Sequence, residues 1–151
     1  MTTCRLIYRS IANEDALDNE GLASLLDTCV DNNNRDGITG MLVLSGDQFL
    51  QVLEGPSDKV NQLYGKIVAD DRHHDVTLVS YEQIANRYFE DWSMRLVDLF
   101  DLPMQQRTFL MQKYSFTDDV IQIPEQLNQV YSLLMDAKAF CVVEPWKKSE
   151  A

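Results

Sequence analysis

The spacing of hydrophobic residues constrains the fold of this chain most, because it switches between a period of two and a period of 3.6 along residues 4–97. A period of two is typical of a strand with one buried face, and a period of 3.6 is typical of a helix with one buried stripe. The order of the switches predicts a strand, a helix, two strands, a helix and two further strands. Chains with this order form one sheet with the helices packed on it.

The expected bounds follow from the same pattern. They are a strand at 4–10, a helix with the stripe Leu22, Leu25, Leu26, Cys29 and Val30 that ends in the polar run 31–37, strands at 38–45 and 48–54, a helix from Pro56 with the stripe Val60, Leu63, Tyr64, Ile67 and Val68, and strands at 76–84 and 92–97. Gly46-Asp47 is typical of a tight hairpin, and Gly55-Pro56 is expected to end the third strand. In the last strand, Trp92, Met94 and Leu96 are expected to share one face.

The predicted fold class is therefore α+β: a ferredoxin-like, mixed five-stranded sheet with two helices on one face. Residues 101–151 form a tail, in which Pro103–Tyr114 and a segment opened by Pro124 are predicted helices, together a C-terminal helical hairpin. We expect a domain at residues 1–100 and a helical extension at 101–151. The extension is expected to cover the free face of the sheet or to pack on a second subunit.

Composition excludes several classes of function. The net charge of −11 repels phosphate backbones and disfavours nucleic-acid binding. No apolar run approaches the roughly 18 residues of a membrane helix, and the N-terminus enters a strand pattern without a signal peptide, so a cytoplasmic location is expected. Cys4, Cys29 and Cys141 are far apart, which favours neither a disulfide framework nor a zinc site.

Polar side chains on faces that should be apolar are the candidates for a binding site. Tyr8 and Ser10 lie on the apolar face of the first strand, Gln51 lies on that of the third, and Asn32 and Asn33 lie at the exit of the first helix. A buried polar group without a partner costs about 1–3 kcal/mol. For Gln51 alone, a bond to neighbouring backbone is the simpler explanation. Together, these groups suit the edge of a planar heterocycle with donors and acceptors in a row.

Five sequence motifs follow one another over about residues 4–97. They occupy residues 6–10, 32–40, 49–56, 70–74 and 89–94. In this order and with this spacing they resemble the BLUF family, blue-light sensors that use a flavin. Short members with a two-helix tail and no enzymatic domain are similar to this chain in length.

The resemblance implies a role for each polar candidate. Tyr8 would give an electron and a proton to the excited flavin, and Gln51 would lie between Tyr8 and the flavin, bonded to N5 and the C4 carbonyl. Asn33 would bind the C4 carbonyl and N3 side, Asn32 would lie beside it, and Ser10 would support the Tyr8–Gln51 region. Rearrangement of Gln51 in light would strengthen a bond to the C4 carbonyl and shift absorption to the red.

The resemblance also implies how the flavin is held and how the signal leaves. Lys66 and Arg72 would meet the ribityl–phosphate end, although several members carry arginine where this chain has Lys66. Trp92 and Met94 would form the strand that moves in light and signals to the tail and a protein partner. FAD is the expected flavin, with FMN and riboflavin left open. A homo-oligomer is expected, while the partner, the number of subunits and the sign of the light effect are left open.

Two other classes of function stay open at this point. A dark flavin enzyme would need a substrate opening beside N5, and the chain has no nucleotide motif to support it. A light-insensitive interaction module would have lost its flavin, and Tyr8, Asn33 and Gln51 argue against that. His73 and His74 are adjacent and point in different directions, so a solvated or structural role is favoured over metal binding. We predict a photoreceptor that is not an enzyme and holds no metal.

Overall fold

A computed structural model describes residues 2–92 and 94–143 of the chain. Its elements are β1 (Thr3–Ala12), a 3-10 turn (Glu14–Leu17), α1 (Asn19–Asp36), β2 (Thr39–Ser45), β3 (Gln48–Pro56), α2 (Ser57–Ala69), β4 (His73–Gln83), β5 (Arg95–Asp98), a second 3-10 turn (Leu99–Asp101), α3 (Met104–Lys113), β6 (Phe116–Thr117), β7 (Val120–Ile121) and α4 (Leu127–Val143). No helix in the described ranges is long and apolar enough to cross a membrane.

The main sheet has the strand order β4-β1-β3-β2-β5. Strand β1 pairs antiparallel with both β3 and β4, and β2 pairs antiparallel with β3 but parallel with β5. The helices α1 and α2 provide the connections that a split β-α-β arrangement requires. The predicted α+β, ferredoxin-like fold with a mixed five-stranded sheet is confirmed.

Alternation along each strand gives the sheet two buried faces. The helix face carries Leu6, Tyr8 and Leu53, which pack with apolar side chains of α1 and α2. The tail face carries Ile7 and Val52, which pack beneath α3 and α4. Both faces are covered, and for that reason β2 and β3 are buried almost throughout their length.

The tail covers the sheet rather than standing apart from it. Leu110 of α3 and Leu134 of α4 are fully buried in the same core as Ile7. Both predicted tail helices are present, but the small β6–β7 hairpin separates them, so a simple helical hairpin is not clearly shown. The second helix begins at Leu127 rather than at Pro124.

Helix α1 ends inside the predicted polar run for a local reason, whereas the end of β3 differs from the prediction because of a long-range contact. Helix α1 continues through the polar run to Asp36 and ends where Gly37 adopts a φ of 71°, a left-handed conformation that favours glycine. Strand β3 does not stop before Gly55-Pro56, because Gly55 pairs with Cys4 and Pro56 with Thr3 at the end of β1.

Candidate functional site

A phenol, an amide and a thioether meet on the helix face. Tyr8 and Gln51 are directly opposed in the β1–β3 register, which brings their side chains together on one face. The Tyr8 hydroxyl donates to Gln51 Oε1, and Gln51 Nε2 lies 3.4 Å from Met94 Sδ, to which it donates. All three side chains are buried. One polar chain therefore links β1, β3 and the residue just before β5.

The Tyr8 phenol is held in its neutral form. Burial raises the pKa of Tyr8 well above its ordinary value, and the nearby Cys29, Tyr64 and Asp70 add to that rise because they disfavour a second negative charge. The hydroxyl therefore keeps its proton at physiological pH. Tyr8 can then act as a donor to Gln51 in the resting protein.

A cavity of about 190 Å³ lies beside this pair. It is lined by Tyr8, Cys29, Leu42, Phe49, Gln51, Leu63, Lys66, Ile67, Asp70, Arg72 and His73. Its apolar walls suit the flat faces of an aromatic ring, while the amide and the phenol suit a polar ring edge. Cationic side chains at one end suit a phosphate. The residues present therefore fit a flavin.

The charged end of the cavity contains an ion pair. Arg72 Nη2 donates to Asp70 Oδ2 at 2.6 Å, and Arg72 Nε donates to Asp70 Oδ1 at 3.0 Å. The hydrogen bonds from Arg72 lower the pKa of Asp70, although partial burial opposes this. Lys66 lies nearby on α2 and is exposed. An incoming phosphate would thus compete with Asp70 for the Arg72 guanidinium.

His73 also contributes to the site. The sequence pattern favoured only a solvated or structural role for this residue and did not indicate its place beside Tyr8. Its Nδ1 lies 2.8 Å from Ser10 Oγ, and its Nε2 lies 2.5 Å from the Ile67 carbonyl oxygen. The ring meets the Tyr8 ring edge-on, with 6.2 Å between the centroids. Ser10 is therefore tied to His73 near Tyr8, while the adjacent His74 points to Asn13. Only the β1–β4 register, which pairs Ala12 with His73, could have signalled this.

The structure does not place either asparagine of the predicted site, Asn32 or Asn33, in the wall of the cavity. Asn33 is buried in the last turn of α1 but is not among the residues that line the cavity. The side chain of Asn32 lies outside the described part of the structure. Their roles toward a ring edge stay predictions.

The segment before β5 does not follow the expected alternation. Strand β5 begins at Arg95, so Trp92 and Met94 precede it. Met94 is buried on the helix face, whereas Trp92 packs on the tail face beside Phe89, with 6.1 Å between the ring centroids. The prediction that Trp92 and Met94 share a face is wrong, because strict alternation holds only inside a paired strand.

A larger cleft of about 680 Å³ opens between the tail and the β1–β4 edge. Neither Tyr8 nor Gln51 lines it, and its Arg9 guanidinium already donates to the Pro124 carbonyl oxygen. The smaller cavity is the better candidate, because buried polar groups converge there. Within residues 2–92 and 94–143, no group of three or more His, Cys, Asp or Glu side chains is placed to hold a metal ion.

Comparisons with known proteins identify the family of this chain. The family model described as "BLUF: Sensors of blue-light using FAD" matches residues 3–95. The chain is 30% identical over 107 residues to the blue light- and temperature-regulated antirepressor BluF of Escherichia coli (strain K12), and 35% identical over 95 residues to the photoactivated adenylate cyclase subunit beta of Euglena gracilis. These matches cover 71% and 62% of this chain but only 26% and 11% of the relatives' own lengths.

Solved structures of similar size also superimpose on the chain. The dark-state structure of BlrB, a BLUF protein, matches with a TM-score of 0.73 and 25% identity, covering 94% of this chain and 98% of that one. The photo-activated state of BlsA matches with a TM-score of 0.75 and 26% identity, covering 94% of this chain and 96% of that one. The similarity therefore extends beyond the sheet into the tail.

Proposed function

Because this chain belongs to the BLUF family of blue-light sensors that bind a flavin, we propose that Tyr8 and Gln51 are its photochemical pair and that the cavity beside them holds the flavin. The observation that carries this proposal is the hydrogen bond from the buried Tyr8 hydroxyl to Gln51 at the wall of that cavity.

We propose roles for the remaining site residues from the family resemblance and, for Lys66 and Arg72, also from their place in the wall of the cavity. Gln51 would bond the N5 and C4 carbonyl edge of the ring, with Asn33 and Asn32 at the pyrimidine side. Lys66 and Arg72 line the cavity, and their positive charges would hold a phosphate-bearing chain, which supports FAD or FMN over riboflavin; we propose FAD.

The flavin and the protein side chains would contribute different parts of the photochemistry. A bound flavin supplies blue-light absorption and a strong one-electron oxidant in its excited state. Tyr8 would supply one electron and its phenolic proton to the excited flavin and would later take both back from it, so the cycle would have no net turnover. Gln51, which accepts the Tyr8 hydrogen bond, would be the neighbour through which that proton leaves and returns. The protein acts as a sensor, with no substrate consumed.

The two orientations of the Gln51 amide are unequal in this setting. In the resting arrangement Oε1 accepts from Tyr8 and Nε2 donates to the Met94 sulfur. Reversing the amide would point Oε1 at a thioether that has no proton to donate. The reversed state therefore loses a hydrogen bond worth about 1 kcal/mol within the protein. New bonds to a flavin carbonyl could hold that state transiently, after which the resting arrangement returns.

We propose that residues 1–100 form the sensor and that residues 101–151 present the light signal to a protein partner. The tail lies on the sheet face opposite the cavity, so a change at Met94 can reach it through the sheet. A cytoplasmic location and a homo-oligomer complete the proposal.

Gln51→Leu tests the photochemical pair. Leucine fills similar space but neither donates nor accepts, so the variant is expected to bind flavin and to lose the light-induced red shift. The measurement is the absorption spectrum of the purified protein before and after blue light.

Gln48→Leu is the matched control, because Gln48 lies on the same strand but faces the tail, where it bonds Gln122 and Ile123. It should keep the red shift. A normal red shift in flavin-bound Gln51→Leu would show that Gln51 is not the switch.

A further inference from the structure

Arg5 is a buried cation at the centre of a polar cluster on the tail face. Its side chain is 5% exposed. Nε donates to Glu54 Oε2 at 2.8 Å, Nη1 donates to Glu82 Oε1 at 3.2 Å, and Nη2 donates to the Asn86 carbonyl oxygen at 3.4 Å. Buried ion pairs often add little stability, and their best-attested use is to set register or to switch. Stability alone therefore does not explain why the protein buries this cluster.

Glu54 attaches the segment before β5 to Arg5. Its carboxylate is completely buried and accepts from the backbone N–H of Phe89 at 2.7 Å and from that of Tyr88 at 3.0 Å. The Phe89 carbonyl in turn accepts from the Trp92 N–H at 3.2 Å. The backbone just ahead of Trp92 is thus fastened to β3, the strand that also carries Gln51.

Helix α4 reaches the same cluster from the other side. The Tyr131 hydroxyl donates to Glu82 Oε1 at 2.6 Å and accepts from Arg5 Nη1 at 3.4 Å. Burial, and then the bond to Glu82, raises the pKa of Tyr131 to about 12, so the phenol stays a donor at physiological pH. The Tyr131 and Tyr88 rings meet edge-on, and Lys138 donates to the Tyr88 carbonyl oxygen. Two residues of α4 therefore hold the segment that Glu54 holds.

We propose that this cluster, named here the Arg5 junction (Arg5, Glu54, Glu82, Tyr88 and Tyr131), couples the light-driven change at the flavin site to helix α4. The proposal rests on the proposed function. A change in the Gln51–Met94 contact alters the chain at Met94, and the Glu54 bonds to Tyr88 and Phe89 carry that change to Arg5. Tyr131 then passes it to α4, because its hydroxyl is shared between Arg5 and Glu82.

The test compares Tyr131→Phe with wild type in the full-length, flavin-bound protein. Two quantities are measured: the light-induced red shift, and the light-induced change in amide hydrogen exchange of peptides from Leu127–Val143. Wild type is expected to show both. Tyr131→Phe should keep the red shift. Its light-induced change in hydrogen exchange should be about fivefold smaller than that of wild type, as expected for one lost hydrogen bond. Glu82→Gln, at an exposed position, should give a smaller loss in the same direction.

Tyr114→Phe is the matched control. The Tyr114 hydroxyl also bonds α4, but through Ser132 and Asp136, which are not members of the Arg5 junction. This variant should keep the full exchange response.

The outcomes separate coupling from simple support. If Tyr131 only stabilised α4, Tyr131→Phe would raise exchange equally in dark and light, leave the light-to-dark ratio unchanged and overturn the coupling. A wild-type protein that shifts its spectrum without any response in α4 would also overturn it. A wild-type protein that binds flavin but shows no red shift would instead remove the proposed function on which the coupling rests.

Discussion

The two faces of the main sheet are made from alternate residues of the same strands, yet they are built differently. On the tail face, Ile7 and Leu50 are fully buried and lie in one core with Leu133 and Leu134 of α4. On the helix face, neighbouring positions hold the polar Tyr8 and Gln51, and a cavity remains beside them.

This difference separates stability from sensing. The close-packed apolar part of the tail face, outside the buried Arg5–Glu54 pair, contributes free energy of folding in proportion to the area it buries. Buried polar groups beside a cavity contribute little, since their hydrogen bonds replace bonds to water. Variants of the apolar tail-face core should therefore change stability more than the spectrum, and variants of Tyr8 or Gln51 should do the reverse.

The largest effect on stability is expected from Leu134→Ala. This side chain is fully buried under the sheet, and its truncation leaves a cavity, so the free energy of unfolding should fall by about 2–5 kcal/mol. The light-induced red shift should persist in the folded fraction. Urea denaturation measures the first quantity, with Met135→Ala as control because Met135 is 39% exposed on the same helix. Equal losses in both variants would contradict the assignment of the tail face as the stabilising core.

A smaller effect on stability, with complete loss of function, is expected from Tyr8→Phe. The change removes one hydroxyl and its bond to Gln51, which should cost about 1 kcal/mol in the flavin-free protein. The electron and proton donor is lost with it, so the red shift should vanish. The loss of stability is measured by denaturation of the flavin-free chain. The loss of the red shift is measured by light-minus-dark spectroscopy of the flavin-bound chain. A loss as large as that of Leu134→Ala would erase the contrast between the faces.

The smallest effect on stability is expected from Asp70→Asn, and its size depends on pH. Arg72 lowers the pKa of Asp70 in the folded protein, so the ion pair stabilises the fold above the ordinary aspartate pKa. That contribution is lost as pH falls through the lowered pKa. At pH 7 the variant should be less stable by about 0.5 kcal/mol, and at strongly acidic pH the difference should disappear. Thermal unfolding of both proteins across pH measures this difference in stability. A difference that grows in acid would contradict the prediction.

Much of the fold and part of the site follow from local pattern. Over residues 4–97 the order of strands and helices was predicted correctly because hydrophobic period reports local geometry, whereas the β6–β7 hairpin of the tail was not predicted. The same alternation placed Tyr8 and Gln51 on inward faces. It failed at Trp92, which lies outside a paired strand, and at Gly55-Pro56, which β1 holds in the sheet.

Other parts of the site could not be predicted because their partners are distant in sequence. Arg5 and Glu54 are 49 residues apart, and Arg5 and Tyr131 are 126 apart. Read singly, each is an ordinary polar residue in a strand or helix. His73 likewise gains its contact with Ser10 only through the β1–β4 register.

The amino-acid sequence by itself determined which side chains turn inward and in what order the elements come, because backbone geometry repeats every two residues in a strand and every 3.6 in a helix. Only the tertiary structure decided that Tyr8 stands opposite Gln51, that Met94 and Trp92 lie on opposite faces, and that Arg5 joins β3 to α4. The physical reason is that register and packing are set by all strands and helices together, so no local segment contains them.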